Sequence, residues 1–258
     1  MPSTLATVDV QAVDRALARA DAYRLLAALF RDPDDPVIEG QPRLADLGAA
    51  LRRLGSPGDP SAWAAARRIA RRDARAAEHR SIFGHVVAHG CPPYETEFGR
   101  RHVFGQSQEL GDIRGFYEAF GVRPRAGGER PDHVACELEF LALLALKEAI
   151  AIAGEDEQRR QLAREAARSF LQDHPGRWVR ALAARIAQRA PDSGYAGVAT
   201  IAATVLDEHA RELGALPVLL DPDELLPIVE ELDGFTFECG IDAGTGDLAP
   251  PGGESSWP

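Results

Sequence analysis

Pro131-Asp132-His133-Val134-Ala135-Cys136-Glu137-Leu138-Glu139-Phe140-Leu141-Ala142-Leu143-Leu144-Ala145-Leu146-Lys147-Glu148-Ala149-Ile150-Ala151-Ile152-Ala153 is the most apolar stretch of the chain. A proline at a first helical position has its φ already set and no N–H to lose, so Pro131 is predicted to open a helix. Val134, Leu138, Leu141, Leu144, Ala145 and Ile150 then recur so densely that apolar groups cover much of the girth. Such a helix is buried, and 131–153 is predicted to be the central one. Glu137, Glu139, Lys147 and Glu148 leave too short an uninterrupted apolar run for a membrane span, which needs about 20 residues.

The flanking sequence repeats the helical period. Val13, Leu17, Tyr23, Leu26 and Phe30 mark a helix over 10–30, with Asp9 as its cap and Asp32-Pro33-Asp34-Asp35-Pro36 as its end. Leu44, Leu47, Leu51 and Leu54 mark a second. Ser61–Phe83 is predicted as one long helix, with Arg67, Arg68, Arg71, Arg72, Arg75 and Arg80 as its solvated face. Leu110, Ile113, Tyr117 and Phe120 place a helix over 108–120, with residues 122–130 open beyond it. Helices over 155–171, 175–189 and 195–213 follow, separated by His174-Pro175-Gly176 and Pro191-Asp192-Ser193-Gly194, and a short one is predicted over 221–232. No useful stretch alternates apolar and polar with period two. The expected fold is all-α, a single bundle of about seven to nine helices over 8–213. An acidic, Gly/Pro-rich extension over 214–258 follows it.

Composition narrows the function. Lys147 is the only lysine among 29 basic residues, which reads as the codon bias of a GC-rich genome. The net charge of −11 is uneven, with 13 acidic residues against Arg211 alone from Val205 onward. An acidic surface repels phosphate backbones, so nucleic acid is not an expected partner. Cys91, Cys136 and Cys239 are odd in number and widely spaced, which fits a reducing compartment and no disulfide framework. Without a basic region leading an apolar stretch at the N-terminus, a cytoplasmic protein is expected.

Few constellations suggest catalysis. There is no GxxxxGK[ST] and no GxSxG. His85, His89, Cys91 and Glu95 have spacings that suit a metal-dependent helical enzyme, the alternative reading, but Gly84 and Gly90 break the stretch. Asp132 is expected to cap the following helix, where the macrodipole favours a carboxylate, with His133 in the first turn.

Four stretches, in order, resemble one family. They are Tyr23-Arg24-Leu25-Leu26-Ala27-Ala28-Leu29-Phe30, then Cys91-Pro92-Pro93-Tyr94-Glu95-Thr96-Glu97-Phe98, then Gly115-Phe116-Tyr117-Glu118-Ala119-Phe120-Gly121, and finally Pro131-Asp132-His133 with Glu137, Leu138 and Phe140. In these the chain resembles the TorD/DmsD/NarJ family of redox-enzyme maturation chaperones. The resemblance covers roughly 15–150, with Phe170–His174 and Trp178 a weaker continuation. It implies a cytoplasmic, all-helical protein without catalysis and with no cofactor of its own. Such a protein binds the apo catalytic subunit of a molybdenum-containing oxidoreductase, its twin-arginine signal peptide, or both, as a monomer or homodimer. The implied groove has Tyr94, Phe98, Phe116, Tyr117 and Phe120 as walls. Glu95, Glu97, Asp132 and His133 are its polar contacts, beside Pro131. A helical adaptor without a molybdoenzyme client is the other non-catalytic reading.

Overall fold

The computed structural model describes residues 8–34, 42–84, 90–99, 103–123, 125 and 128–225. The chain divides into two units, Met1–Leu226 and Pro227–Pro258, and every described residue falls in the first. Among the described residues the regular structure is helical: α1 (Val10–Phe30), α2 (Leu44–Leu54), α3 (Pro60–Ala66), α4 (Arg72–Phe83), α5 (Val103–Ala119), α6 (Val134–Ala153), α7 (Glu157–Asp173), α8 (Pro175–Arg189) and α9 (Gly194–Leu213). Short 3-10 turns occupy Arg67–Ile69 and Glu95–Glu97.

The expected central helix is central. α6 runs antiparallel along α1, with Arg31 paired to Glu139 at one end and Ala16 packed with Ala149 and Ile152 at the other. Its face of Val134, Leu138, Leu141 and Leu144 joins Tyr23, Leu26, Leu29 and Phe30 of α1 in one continuous core. Side-chain oxygens of Asp9, Asp59, Asp156 and Ser193 accept from backbone N–H groups and so start α1, α3, α7 and α9. Gly55 ends α2 and Gly214 ends α9 in the left-handed conformation that glycine adopts without strain. α3 lies so close to α9 that a Cβ on Gly197 would stand 2.2 Å from the Ala62 carbonyl oxygen.

Three local expectations change. The predicted single helix over 61–83 is α3, a 3-10 turn and α4, because its buried side chains lie on two faces. Ala62, Ala66 and Ile69 face inward, and so do Arg75 and Ile82. At about 100° per residue Ile82 is roughly 200° around from Ala62, so one straight helix cannot bury both. The chain turns at Arg71, whose backbone is extended. Arg75, read as part of the solvated face, is 1% exposed.

The central helix begins at Val134, not Pro131, and its cap is the ring of His133. Nδ1 of His133 accepts from the Ala135 N–H at 3.1 Å. Asp132 points elsewhere. Finally, residues 221–225 form a turn and not a helix, and 226–232 lie outside the described residues.

Candidate functional site

The two loops that stood out in the sequence lie side by side. Glu95 donates its N–H to the Asp132 carbonyl and Val134 donates to the Pro93 carbonyl, both at 2.9 Å, so Tyr94 and His133 form an isolated antiparallel bridge. Their rings meet edge to face, 5.1 Å apart. Two prolines leave the 91–93 segment few N–H groups to satisfy, which suits a strand-like stretch paired only at its end.

Asp132 is fully buried and holds the junction together. Its Oδ2 accepts from the Thr96 N–H at 3.2 Å, from the Thr96 hydroxyl at 2.8 Å and from Arg130 Nη2 at 2.8 Å. Its Oδ1 accepts from Arg130 Nε at 3.0 Å. Arg130 reaches on to Glu97 Oε1 at 3.0 Å and lies 4.5 Å from the centre of the Tyr94 ring. A two-pronged guanidinium–carboxylate pair of this geometry fixes orientation as well as charge. Tyr94 closes the ring of contacts by donating its hydroxyl to Glu129 at 3.0 Å. Burial pushes the His133 imidazole down to about 3, so it is neutral and free to accept at the helix cap.

Beneath these loops sits a second polar layer. Glu95 Oε2 lies 3.0 Å from His174 Nδ1, and Glu137 Oε2 accepts from the Trp178 indole N–H at 2.9 Å. Both carboxylates are buried, and beyond one another their remaining oxygens meet no hydrogen-bonding group. Burial first, and the neighbouring Glu95 second, push Glu137 well above the usual carboxylate range. Glu137 therefore keeps its proton and can donate it to Glu95. Phe98, with its ring 5.3 Å from Trp178, seals this layer from below.

The aromatic residues from α5 do not all face one way. Tyr117 is buried and donates its hydroxyl to the Pro131 carbonyl at 2.7 Å. Phe116, Tyr117 and Phe120 stack on Phe140 of α6, and Phe116 and Tyr117 also reach Phe170 of α7. Phe116 and Phe120 keep part of their surface in solvent. The ten sequence-predicted residues thus form one neighbourhood with two kinds of member. Glu95, Phe98, Tyr117, Pro131, Asp132 and His133 are interior, whereas Tyr94, Glu97, Phe116 and Phe120 are partly accessible.

Sequence reasoning missed Arg130, which lies in the stretch read as open, and gave His174 no role. The available signal was an arginine two residues before a buried aspartate, flanked by Glu129. The C-terminal side of the chain also reaches this place. Gly99 donates to the Glu224 carbonyl at 2.6 Å, and Phe98 bridges Leu225. Arg185 binds both the Gly90 carbonyl and, at 2.7 Å, the Pro222 carbonyl.

His85 and His89 of the metal reading lie outside the described residues. Burial raises the Cys91 thiol, which keeps it protonated, and Glu95 is held by His174. Among the described residues no three His, Cys, Asp or Glu side chains gather as a metal site would need. No described helix is long and apolar enough to cross a membrane.

This arrangement is an interlocked pair of loops on a helical bundle, and the comparisons with known proteins agree on its class. Residues 44–184 match the model of the nitrate reductase delta subunit family, and the chain belongs to that family. It is 34% identical over 115 residues to the selenate reductase assembly chaperone protein of Thauera selenatis, a match spanning 44% of this chain and 58% of that protein. It is 29% identical over 207 residues to the chlorate reductase assembly chaperone protein of Ideonella dechloratans, spanning 80% of this chain and 94% of that protein.

Proposed function

We propose that this chain is a dedicated assembly chaperone for a molybdenum-containing reductase. It holds the apo catalytic subunit in the cytoplasm, keeps it open for cofactor insertion, and retains its twin-arginine signal peptide until assembly is complete. The observation that carries this reading is the similarity along 94% of an assembly chaperone for chlorate reductase. The chemistry supports it. The junction offers no activated nucleophile, and its ionisable groups are spent on one another. What remains for a partner is surface: Tyr94, Glu97, Phe116 and Phe120 at the edge, with Glu95, Phe98, Tyr117, Pro131, Asp132 and His133 holding that edge in place. Apolar area on the client is buried there at about 25 cal/mol per Å².

Co-expression with the catalytic subunit of a molybdenum reductase from the same genome tests the proposal. The cofactor-free subunit co-purifies with this chain and the cofactor-loaded one does not. Full reductase activity in cells lacking this chain, with no co-purification in either state, would sink it.

A further inference from the structure

Away from the two loops, a cavity of about 340 Å³ opens between α1, the end of α2 and α9. Small-molecule sites run from about 300 to 1,000 Å³. Leu54 and Gly55 at the end of α2 and Val205 of α9 form its apolar side, and Arg15, Arg19, Glu208, Arg211 and Glu212 its charged side. Arg15 and Arg19 are engaged by Glu212, at 2.8 and 2.6 Å. Arg211 is exposed, and its guanidinium enters no hydrogen bond or ion pair among the described residues. Three guanidiniums against two carboxylates leave the lining with one positive charge in excess.

His209 of α9 also lines this cavity, and it is 4% exposed. Its Nδ1 lies 2.9 Å from the Tyr23 hydroxyl, whereas its Nε2 is buried without a hydrogen-bond partner. Burial first, then Arg19, Arg164 and Arg15, hold the imidazole well below its usual value, so the ring is neutral and carries one N–H. Burial raises the Tyr23 phenol, which keeps its proton. That hydroxyl has no other partner among the described residues, so it donates to Nδ1; the reverse bond would strand the hydroxyl hydrogen as well. The imidazole proton is therefore on Nε2. The two ring nitrogens point in nearly opposite directions, and Tyr23 does not line the cavity, so the Nε2 edge is the one that borders it. A buried N–H with nothing to donate to is a costly group, and it stands at the wall of a cavity with positive charge to spare.

We infer that this cavity binds a small carboxylate, a single negative charge on a short apolar stem. The carboxylate accepts from His209 Nε2 and from the Arg211 guanidinium, and the stem rests on Leu54 and Val205. One negative charge cancels the excess of the lining, whereas a phosphate dianion would bring a second one against Glu208 and Glu212. The carboxylate belongs either to a free short-chain acid or to the C-terminus of a peptide. The inference does not use the chaperone reading, and its test needs no client.

The probe is 4-methylpentanoate, titrated into the full chain carrying ¹⁵N-labelled histidine and followed by NMR. The His209 ring signals, assigned by their loss in His209→Gln, show the neutral ring protonated at Nε2 before addition. They shift on titration with a Kd of about 1 mM or tighter. 4-Methylpentanamide, with the same stem and no charge, binds at least about tenfold more weakly, and so does inorganic phosphate. Arg211→Ala, at an exposed position, keeps the thermal midpoint of the unmodified chain and weakens the carboxylate at least about tenfold. An acetylated alanine–alanine–leucine peptide with a free C-terminus names the source. Tighter binding than 4-methylpentanoate, lost on amidation, supports a polypeptide end, and weaker binding supports a free acid. A ring proton on Nδ1, no shift at tenfold the expected Kd, equal binding of the amide, tighter binding of phosphate, or unchanged affinity in Arg211→Ala overturns the inference.

Discussion

Two polar clusters sit at opposite ends of α6, and they balance charge differently. Near its C-terminal end, Glu148 and Glu212 are served by three arginines: Arg19 and Arg15 reach Glu212 at 2.6 and 2.8 Å, and Arg164 reaches Glu148 at 2.8 Å. Near its N-terminal end, Glu95, Glu97, Asp132 and Glu137 share one guanidinium, that of Arg130, and the ring of His174. The first cluster is neutralised by cations. In the second a proton on Glu137 stands in for a missing cation. The lesson is that carboxylates neutralised by cations and a carboxyl neutralised by its own proton give opposite responses to pH.

The sharpest way to break the contrast is at Asp132. Asp132→Ala leaves Arg130 and Thr96 without their shared acceptor, and urea unfolding at pH 7 should show a loss of about 3 kcal/mol. Next is Glu137. Glu137→Ala strands the Trp178 N–H and costs about 2 kcal/mol, whereas Glu137→Gln keeps both hydrogen bonds and is at least as stable as the unmodified chain at pH 7. The smallest effect is at the other cluster. Glu212→Ala costs about 1 kcal/mol, because Arg15 is half exposed and Arg19 retains Glu148.

Repeating the unfolding across pH separates the two ends by sign. Glu137 has its folded value raised above 4.5, so the folded chain holds the extra proton. Its contribution is full below 4.5 and fades as pH climbs through the folded value. Glu212 has its value lowered by its arginines, so its contribution is full above 4.5 and fades as pH falls. Glu137→Gln therefore removes a decline on the alkaline side, and Glu212→Gln removes one on the acid side. Parallel pH profiles for the two variants would contradict the contrast.

Much of the scaffold was legible because helix patterning is local. The spans 10–30, 44–54 and 175–189 follow directly from apolar spacing and from proline at a first turn. The break after Ile69 was not legible, since an arginine-rich run with alanines scans as helix whichever face it buries. Asp132 looked like a cap because its decisive partner, Thr96, is 36 residues away, and nothing nearby predicts that contact. Arg130 was hidden for the same reason.

The link between Gly99 and Glu224 also bears on the order in which the protein matures during translation. The loop at 91–98 leaves the ribosome early, yet its partners arrive in stages: Asp132, then His174, then Arg185, and last the 222–225 segment. At roughly 5–20 residues per second, several seconds separate synthesis of the loop from its final fastening. The first helices are complete long before these loops are fastened, so a nascent chain passes through a stage that is helical but unlocked.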